Sequence, residues 1–168
     1  MGQKSLSISD NEKLVDELVS AFKDKVLSVN WTTPRRVYIK IVTHAHRDLI
    51  KWIREKFPNS SYLVSIDTVD FIDRGEFEIR YKMQVVHNNI KLTLIIAMNV
   101  ARDYPRVRTI TDIVPGAVLY ERENYEMFGI IFEGHPNLAK FFLPETWPEG
   151  VYPLRKDVSV IRKKPKVW

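Results

Sequence analysis

The residues best equipped for chemistry crowd into Glu121-Arg122-Glu123-Asn124-Tyr125-Glu126, where paired carboxylates invite a general acid and base reading. Their spacing opposes it. On a helix Glu121 and Glu123 stand about 200° apart and cannot converge on one substrate. Glu121 instead shares a stripe with Val118, Tyr125 and Phe128, where a buried carboxylate needs a cation or hydrogen-bond donors. Arg106, Arg108 and Arg155 are the candidate partners. Arg122 and Glu126, four apart, are expected to pair on the surface. A capped, salt-bridged helix is the simpler reading, and a hydrolase using Glu121 or Glu123 the weaker one. His44-x-His46 is the one close histidine pair, but at an early helix position side chains two apart diverge, so no metal site is expected. His135, between Gly134 and Pro136, reads as a turn residue that caps the preceding helix or hydrogen-bonds a partner. The glycines are scattered, with no GxG and no GxxxxGK, which speaks against a nucleotide cradle. The absence of cysteine excludes disulfides, iron-sulfur ligation by the chain's own thiolates and a thiol nucleophile. No catalytic, cofactor-binding or metal-ligating residue is assigned.

The 168 residues, 45% hydrophobic and 28% charged, fit one globular domain with a sizeable core. The longest apolar run, Ile90 to Ala101, is broken by Lys91, Thr93 and Asn99 and falls short of the roughly 20 residues of a membrane helix. No charged-then-apolar leader opens the sequence, and Leu6 departs from the Ser or Thr of a myristoylation signal. Secretion and lipid anchoring are therefore not expected, and the sequons at Asn30 and Asn59 carry no weight. The net charge of +5 resides in one place. From Gly150 onward Arg155, Lys156, Arg162, Lys163, Lys164 and Lys166 face only Asp157, and the rest of the chain is neutral. A basic tail on a neutral body lacks the arrayed cations of a nucleic-acid groove, so a basic-tailed nucleic-acid-binding module is the alternative rather than the main reading.

These residues need elements to position them. Ser9-Asp10-Asn11-Glu12 has capping-box spacing, and Leu14, Val15, Leu18, Val19, Phe22 and Val26 recur at helical intervals, which predicts a helix from Asp10 to Ser28. Val37, Ile39 and Ile41 mark a strand, and Leu49, Trp52, Ile53 and Phe57 a second helix that Pro58 ends. Phe77, Ile79, Tyr81, Met83 and Val85 alternate with polar residues as in a strand with one wet face. Asp73-Arg74-Gly75 and His87-Asn88-Asn89 join it to the runs from Tyr62 to Ile72 and Ile90 to Val100, giving an antiparallel meander. The expected fold is α+β: an antiparallel four-stranded sheet with helices packed on one face, followed by a helix and an extended irregular C-terminal arm. That last helix opens at Val114-Pro115-Gly116 and stops at Gly129. Beyond it the prolines at 136, 144, 148, 153 and 165 allow at most a short helical piece from Leu138 to Phe142. The final stretch nevertheless carries Trp147, Val151, Tyr152, Leu154, Val158, Val160 and Ile161, too apolar for a solvated tail, so it is expected to wrap its own domain or a partner.

The stretch from Glu121 through Phe128-Gly129-Ile130-Ile131-Phe132-Glu133-Gly134-His135-Pro136, then Phe142-Leu143-Pro144 and Pro153-Leu154-Arg155-Lys156-Asp157, resembles the signature of the 30 kDa subunit family of respiratory complex I. That family serves proton-pumping NADH:quinone oxidoreductase and membrane-bound energy-converting [NiFe] hydrogenases. The resemblance covers about 40 residues. It implies a cofactor-free, non-catalytic peripheral subunit on the cytoplasmic face of the cell membrane. Its partners would be the large hydrogenase-like subunit and the iron-sulfur small subunit, and membrane contact would run only through the complex. Iron-sulfur clusters, and in a hydrogenase a nickel-iron centre, would sit on those partners. Carried over residue by residue, it makes Glu121, Arg122, Glu123, Tyr125, Phe128, Gly129, Gly134, His135 and Pro136 partner-binding in the helix and turn. In the arm it does the same for Leu143, Pro144, Trp147, Pro153, Leu154, Arg155, Lys156 and Asp157. The implied division is an α+β domain with the motif helix over 1–130 and an extended proline-rich partner-binding arm over 131–168. Tyr152 stands where the family often has His, and Val-Ser-Val-Ile-Arg-Lys-Lys-Pro-Lys follows Asp157 without the Pro and Gly common in respiratory members. Both departures speak against a quinone-reducing member and point toward a hydrogenase-type or related archaeal-style complex.

Overall fold

The structure is a computed structural model that describes residues 9–157. The tail residues Val158, Val160, Ile161, Arg162, Lys163, Lys164, Pro165 and Lys166, and Leu6 at the other end, lie outside the described residues.

Helix α1 (Asp10–Ala21) starts at the expected capping box, with the Ser9 hydroxyl receiving the Glu12 N–H and the Glu12 carboxylate receiving the Ser9 N–H. It buries Leu14, Val15 and Leu18. It ends seven residues short of the expected Ser28, because Val26–Thr33 forms strand β1. The apolar spacing at Phe22 and Val26 fits a helix. A register shift between Val26 and Ser28 breaks the alternation that would have signalled a strand. Strand β2 (Arg36–Ile41) and helix α2 (His46–Lys56) follow, then β3 (Ser61–Phe71), β4 (Glu76–His87) and β5 (Ile90–Ala101). The last three form the expected antiparallel meander, turning through Gly75 and Asn88 at positive φ.

Among the described residues the sheet has five strands rather than four and is mixed rather than antiparallel, in the order β1-β2-β5-β4-β3. The corrected pairing is β2 with β5, which run parallel with Ile39 opposite Ile96. The connection through α2, β3 and β4 returns the chain to the flank of β2 in its original direction. Phe77, Ile79, Tyr81, Met83 and Val85 of β4 are all fully buried, and the core is built on this face. The opposite face carries polar cross-strand pairs, Lys40 with Glu78 and Lys82 with Asp67. His46 lies in the first turn of α2 against the core, its ring stacked on Tyr81 at 5.0 Å. Its Nε2 donates to the Arg108 carbonyl at 2.9 Å, and burial lowers its pKa to about 4, so the ring is neutral.

After β5, β6 (Arg106–Arg108) pairs in parallel with β7 (Ile131–Glu133), and helix α3 (Ala117–Phe128) lies between them in sequence. Gly129, at φ 75°, closes α3 as expected. No helix forms from Leu138 to Phe142; the amides of residues 141–143 bond to Glu126 instead of to carbonyls one turn back. No helix among the described residues is long and apolar enough to cross a membrane.

Candidate subunit interface

Helix α3 is the organiser of the carboxyl-terminal third, and its charged residues are spent on backbone groups. Arg122 and Glu126 do not pair with each other. Arg122 donates to the carbonyls of Ala139 and Lys140, both at 2.8 Å. The Glu126 carboxylate, one turn on, accepts the N–H groups of Phe141, Phe142 and Leu143 at 3.1, 2.7 and 2.8 Å. Two side chains at the same helix face thus grip one loop by its carbonyls and its amides. Such charge-assisted bonds are the strong class, so the loop is held in one shape. Phe141 and Phe142 project from it 55% and 51% exposed, packed edge to face at 5.0 Å. The Arg122 guanidinium sits over the Phe141 ring at 4.8 Å.

Glu121 is fully buried, and its donors are not the expected arginines. One oxygen accepts the Ile110 N–H at 2.8 Å and the other the Thr109 hydroxyl, so Glu121 ties α3 to the segment after β6. Arg106 instead faces Glu133, and Arg155 faces the Phe128 carbonyl. Burial pushes the Glu121 carboxyl from 4.5 up to about 7, against hydrogen bonds that favour the anion. An acid raised in the folded state adds stability below its unfolded value and loses it as pH climbs through the folded one. Stability contributed by this group therefore falls between 4.5 and about 7. Glu121→Gln should remove that decline, gaining on the wild type from about pH 5 to about pH 8 by up to roughly 3 kcal/mol in urea unfolding. A difference that stays flat over this range would contradict it.

Asn124, to which the sequence assigned no role, locks α3 to β3. It accepts from the Thr68 hydroxyl at 2.6 Å and donates to the Ile66 carbonyl at 2.7 Å. Glu123 is exposed, Tyr125 is half-buried, and Phe128 meets Phe77 edge to face at 5.8 Å. His135 donates from Nε2 to the Val118 carbonyl and accepts the Asn137 N–H at Nδ1, so it pins the turn at Gly134 and Pro136 back onto the first turn of α3. His44 and His46 do not converge: His44 is exposed at φ 71°, and His46 is buried. No group of three potential metal ligands occurs among the described residues.

The arm returns to the body at Gly129. A Cβ there would fall 2.5 Å from the Tyr152 ring and 2.8 Å from the Arg155 guanidinium. Leu154 N–H donates to Met127 and Arg155 Nε to Phe128, capping the end of α3, while the Arg155 guanidinium lies over the Phe77 and Tyr152 rings. Lys156 N–H then reaches the buried Asp70 carboxylate at 2.9 Å, and Asp157 meets Arg102 at 2.6 Å. Arg102 also holds Asp70 through two bonds, and these contacts keep its guanidinium firmly charged. The Trp147 N–H donates to the Pro144 carbonyl at 2.9 Å, and its indole donates to the Val151 carbonyl and closes the intervening loop at Pro148. Asp70 and Arg102 lie far from the motif in sequence. The one signal for Asp70 was its position two residues beyond Thr68 on the face that carries Ile66. Gly129→Ala should strip the arm from the body, because the Cβ clashes and φ is positive. Trypsin cleavage after Arg155 and Lys156 is expected to accelerate about tenfold; unchanged cleavage would show that the contact is dispensable.

This arrangement of a helix gripping its own arm coincides with the match of a family model. Respiratory-chain NADH dehydrogenase, 30 Kd subunit, is the family whose model matches, over residues 39–164. The chain belongs to that family. Its relatives in the 30 kDa subunit family include the membrane-bound hydrogenase subunit beta of Pyrococcus furiosus, 33% identical over 79% of this chain and 75% of the relative. Another is an NADH-quinone oxidoreductase subunit of Roseiflexus sp., 33% identical over 90% and 85%. Among solved structures, a chain from the membrane-bound sulfane sulfur reductase, an archaeal respiratory membrane complex, has a TM-score of 0.78 at 23% identity, covering 90% of this chain and 86% of that one. The likeness shows a shared fold. The stretch matched to the 30 kDa subunit family begins in β2 and takes in α3, the gripped loop and the described arm.

Proposed function

We propose that this chain is a subunit of a membrane-bound respiratory oxidoreductase complex, of the hydrogenase or complex I-like type, with no catalytic centre or cofactor of its own. It scaffolds the large hydrogenase-like subunit and the iron-sulfur small subunit at the cytoplasmic face of the membrane, so that electron transfer on those partners couples to ion pumping. Membership of the 30 kDa subunit family and the names of its relatives support the reading. The observation that carries it within the chain is the gripped loop. Five bonds from Arg122 and Glu126 serve no chemistry and fix two aromatic rings in water, which is the arrangement of a contact anchor. The carried-over residues divide accordingly. Glu121, Arg122, His135 and Arg155 shape the surface from within, whereas Glu123, Leu154, Lys156 and Asp157 stand exposed on it. Tyr152 in place of His, and the departures after Asp157, favour a hydrogenase-type complex over a quinone-reducing one.

Fractionation tests the proposal. The chain should sediment with source membranes, resist washing in moderate salt, and be released by alkaline carbonate without detergent. Recovery in the soluble fraction from gently broken cells would contradict it.

A further inference from the structure

Strand β1 is one edge of the sheet, and β2 is its sole strand neighbour among the described residues. An edge strand presents a row of unpaired N–H and C=O groups, which proteins usually guard with charge, proline or a covering element. From Val26 to Thr33 there is no charged residue and no proline. The side chains are as open as the backbone: Leu27 is 62% exposed and Trp31 39%, and only Val26 and Val29 are half-buried. Val29 and Trp31 stand opposite Ile39 and Val37, on the face where both of those are fully buried. The apolar face of the sheet therefore runs out to a margin left open among the described residues. Beside Trp31 lies a recess of about 310 Å³, lined by Ser9, Glu12, Thr32, Thr33 and Pro34. Between two register shifts, Ser28 to Trp31 remain in regular register with β2 and form a window for one more strand.

Charge selects the occupant. Lys23 and Lys25 precede the strand and Arg35 and Arg36 follow it, against Asp24 alone. Arg35 and Arg36 form no ion pair among the described residues, whereas Lys25 meets Asp48. A second copy pairing antiparallel would bring the net-positive Lys23-Asp24-Lys25 flank of one chain toward the Arg35-Arg36 flank of the other at each end of the ladder, a like-charge cost. An acidic-ended segment meets no such cost. We propose that β1 is a strand-addition site that takes an extended segment of a partner chain, apolar at its centre and acidic at its ends, as the sixth strand of the sheet. The inference rests on the reading of this chain as a complex subunit, and it names the sheet edge opposite β3, the strand on which the arm is anchored.

Hydrogen exchange tests it on the complex isolated from source membranes in mild detergent, compared with the free chain. Amides of residues 26–33 should exchange at least about tenfold slower in the complex. The double variant Leu27→Lys, Trp31→Lys changes two side chains at the open margin, so the free chain should stay folded, with its thermal midpoint lowered by only a few degrees for the covered part of the Trp31 ring. In the complex it should lose the added protection of β1, while residues 139–157 keep theirs. Equal exchange of β1 in the complex and the free chain would overturn the site and leave the subunit reading intact. Protection that appears in the free chain as its concentration rises, with a dimer by light scattering, would overturn it in favour of self-pairing. Recovery of no complex at all would sink both readings.

Discussion

Replacing Phe141 and Phe142 together with Ser is expected to weaken association with the partner subunits by about 100-fold to 1,000-fold, the loss of two aromatic anchors at about 2 kcal/mol each. The free chain should barely notice. Both rings are already more than half exposed, so their removal costs it only a few tenths of a kcal/mol each. The expected effect is large because the loop is set before binding. Glu126 holds three successive amides and Arg122 two carbonyls, so docking does not have to order it. Glu126→Ala offers an internal comparison: the rings remain but the loop is freed, and association should fall by only about tenfold. Titrating the free chain into the complex from a strain lacking it measures each case. Association unchanged within a factor of two for the double variant would remove the gripped loop from the interface.

Asp70→Ala is expected to lower the thermal midpoint by roughly 10 °C or more, since breaking a buried ion pair from one side costs about 3 to 5 kcal/mol. Asp70 is buried on β3 opposite Phe77 and receives Nε of Arg102 at 3.0 Å, Nη2 at 3.3 Å and the Lys156 N–H. Its loss leaves the guanidinium, which is largely covered, with the half-exposed Asp157 as its one carboxylate among the described residues. The same substitution unties the arm, so trypsin should cut after Arg155 and Lys156 faster than in the wild type. Asp157→Ala removes the exposed partner instead and should cost less than about 1 kcal/mol. Equal destabilisation by the two variants would show that burial of Asp70 does not set the strength of this junction.

The contrast between the two halves of α3 shows what a sequence can reveal. Helical spacing correctly placed Glu121 on the inward stripe and Gly129 at the stop, because both follow from local geometry. Spacing also suggested that Arg122 and Glu126 would pair, yet backbone groups 15 to 18 residues away compete better for each. No local pattern encodes such a distant claim. The uninterrupted alternation of β4 announced the meander, whereas β1 was hidden by apolar residues at helical intervals and by a bulge. The parallel neighbour of β2 comes from β5, after α2 and two strands, so its identity depends on how the whole chain packs. The arm was legible as too apolar for solvent. Its anchorage on Asp70 and Arg102 was not, since those residues sit in separate strand regions.

The most direct test is purification of the endogenous chain from its source membranes in mild detergent, with identification of every co-purifying chain and assay of iron and nickel on each. The expected result is a large hydrogenase-like subunit and an iron-sulfur small subunit in stoichiometric amounts, with the metal on those chains and none on this one. Nickel on the large subunit would assign the complex to the hydrogenase type, and iron without nickel to a quinone- or sulfur-reducing relative. Recovery of the chain alone, or with metal of its own, would contradict its role as a cofactor-free subunit.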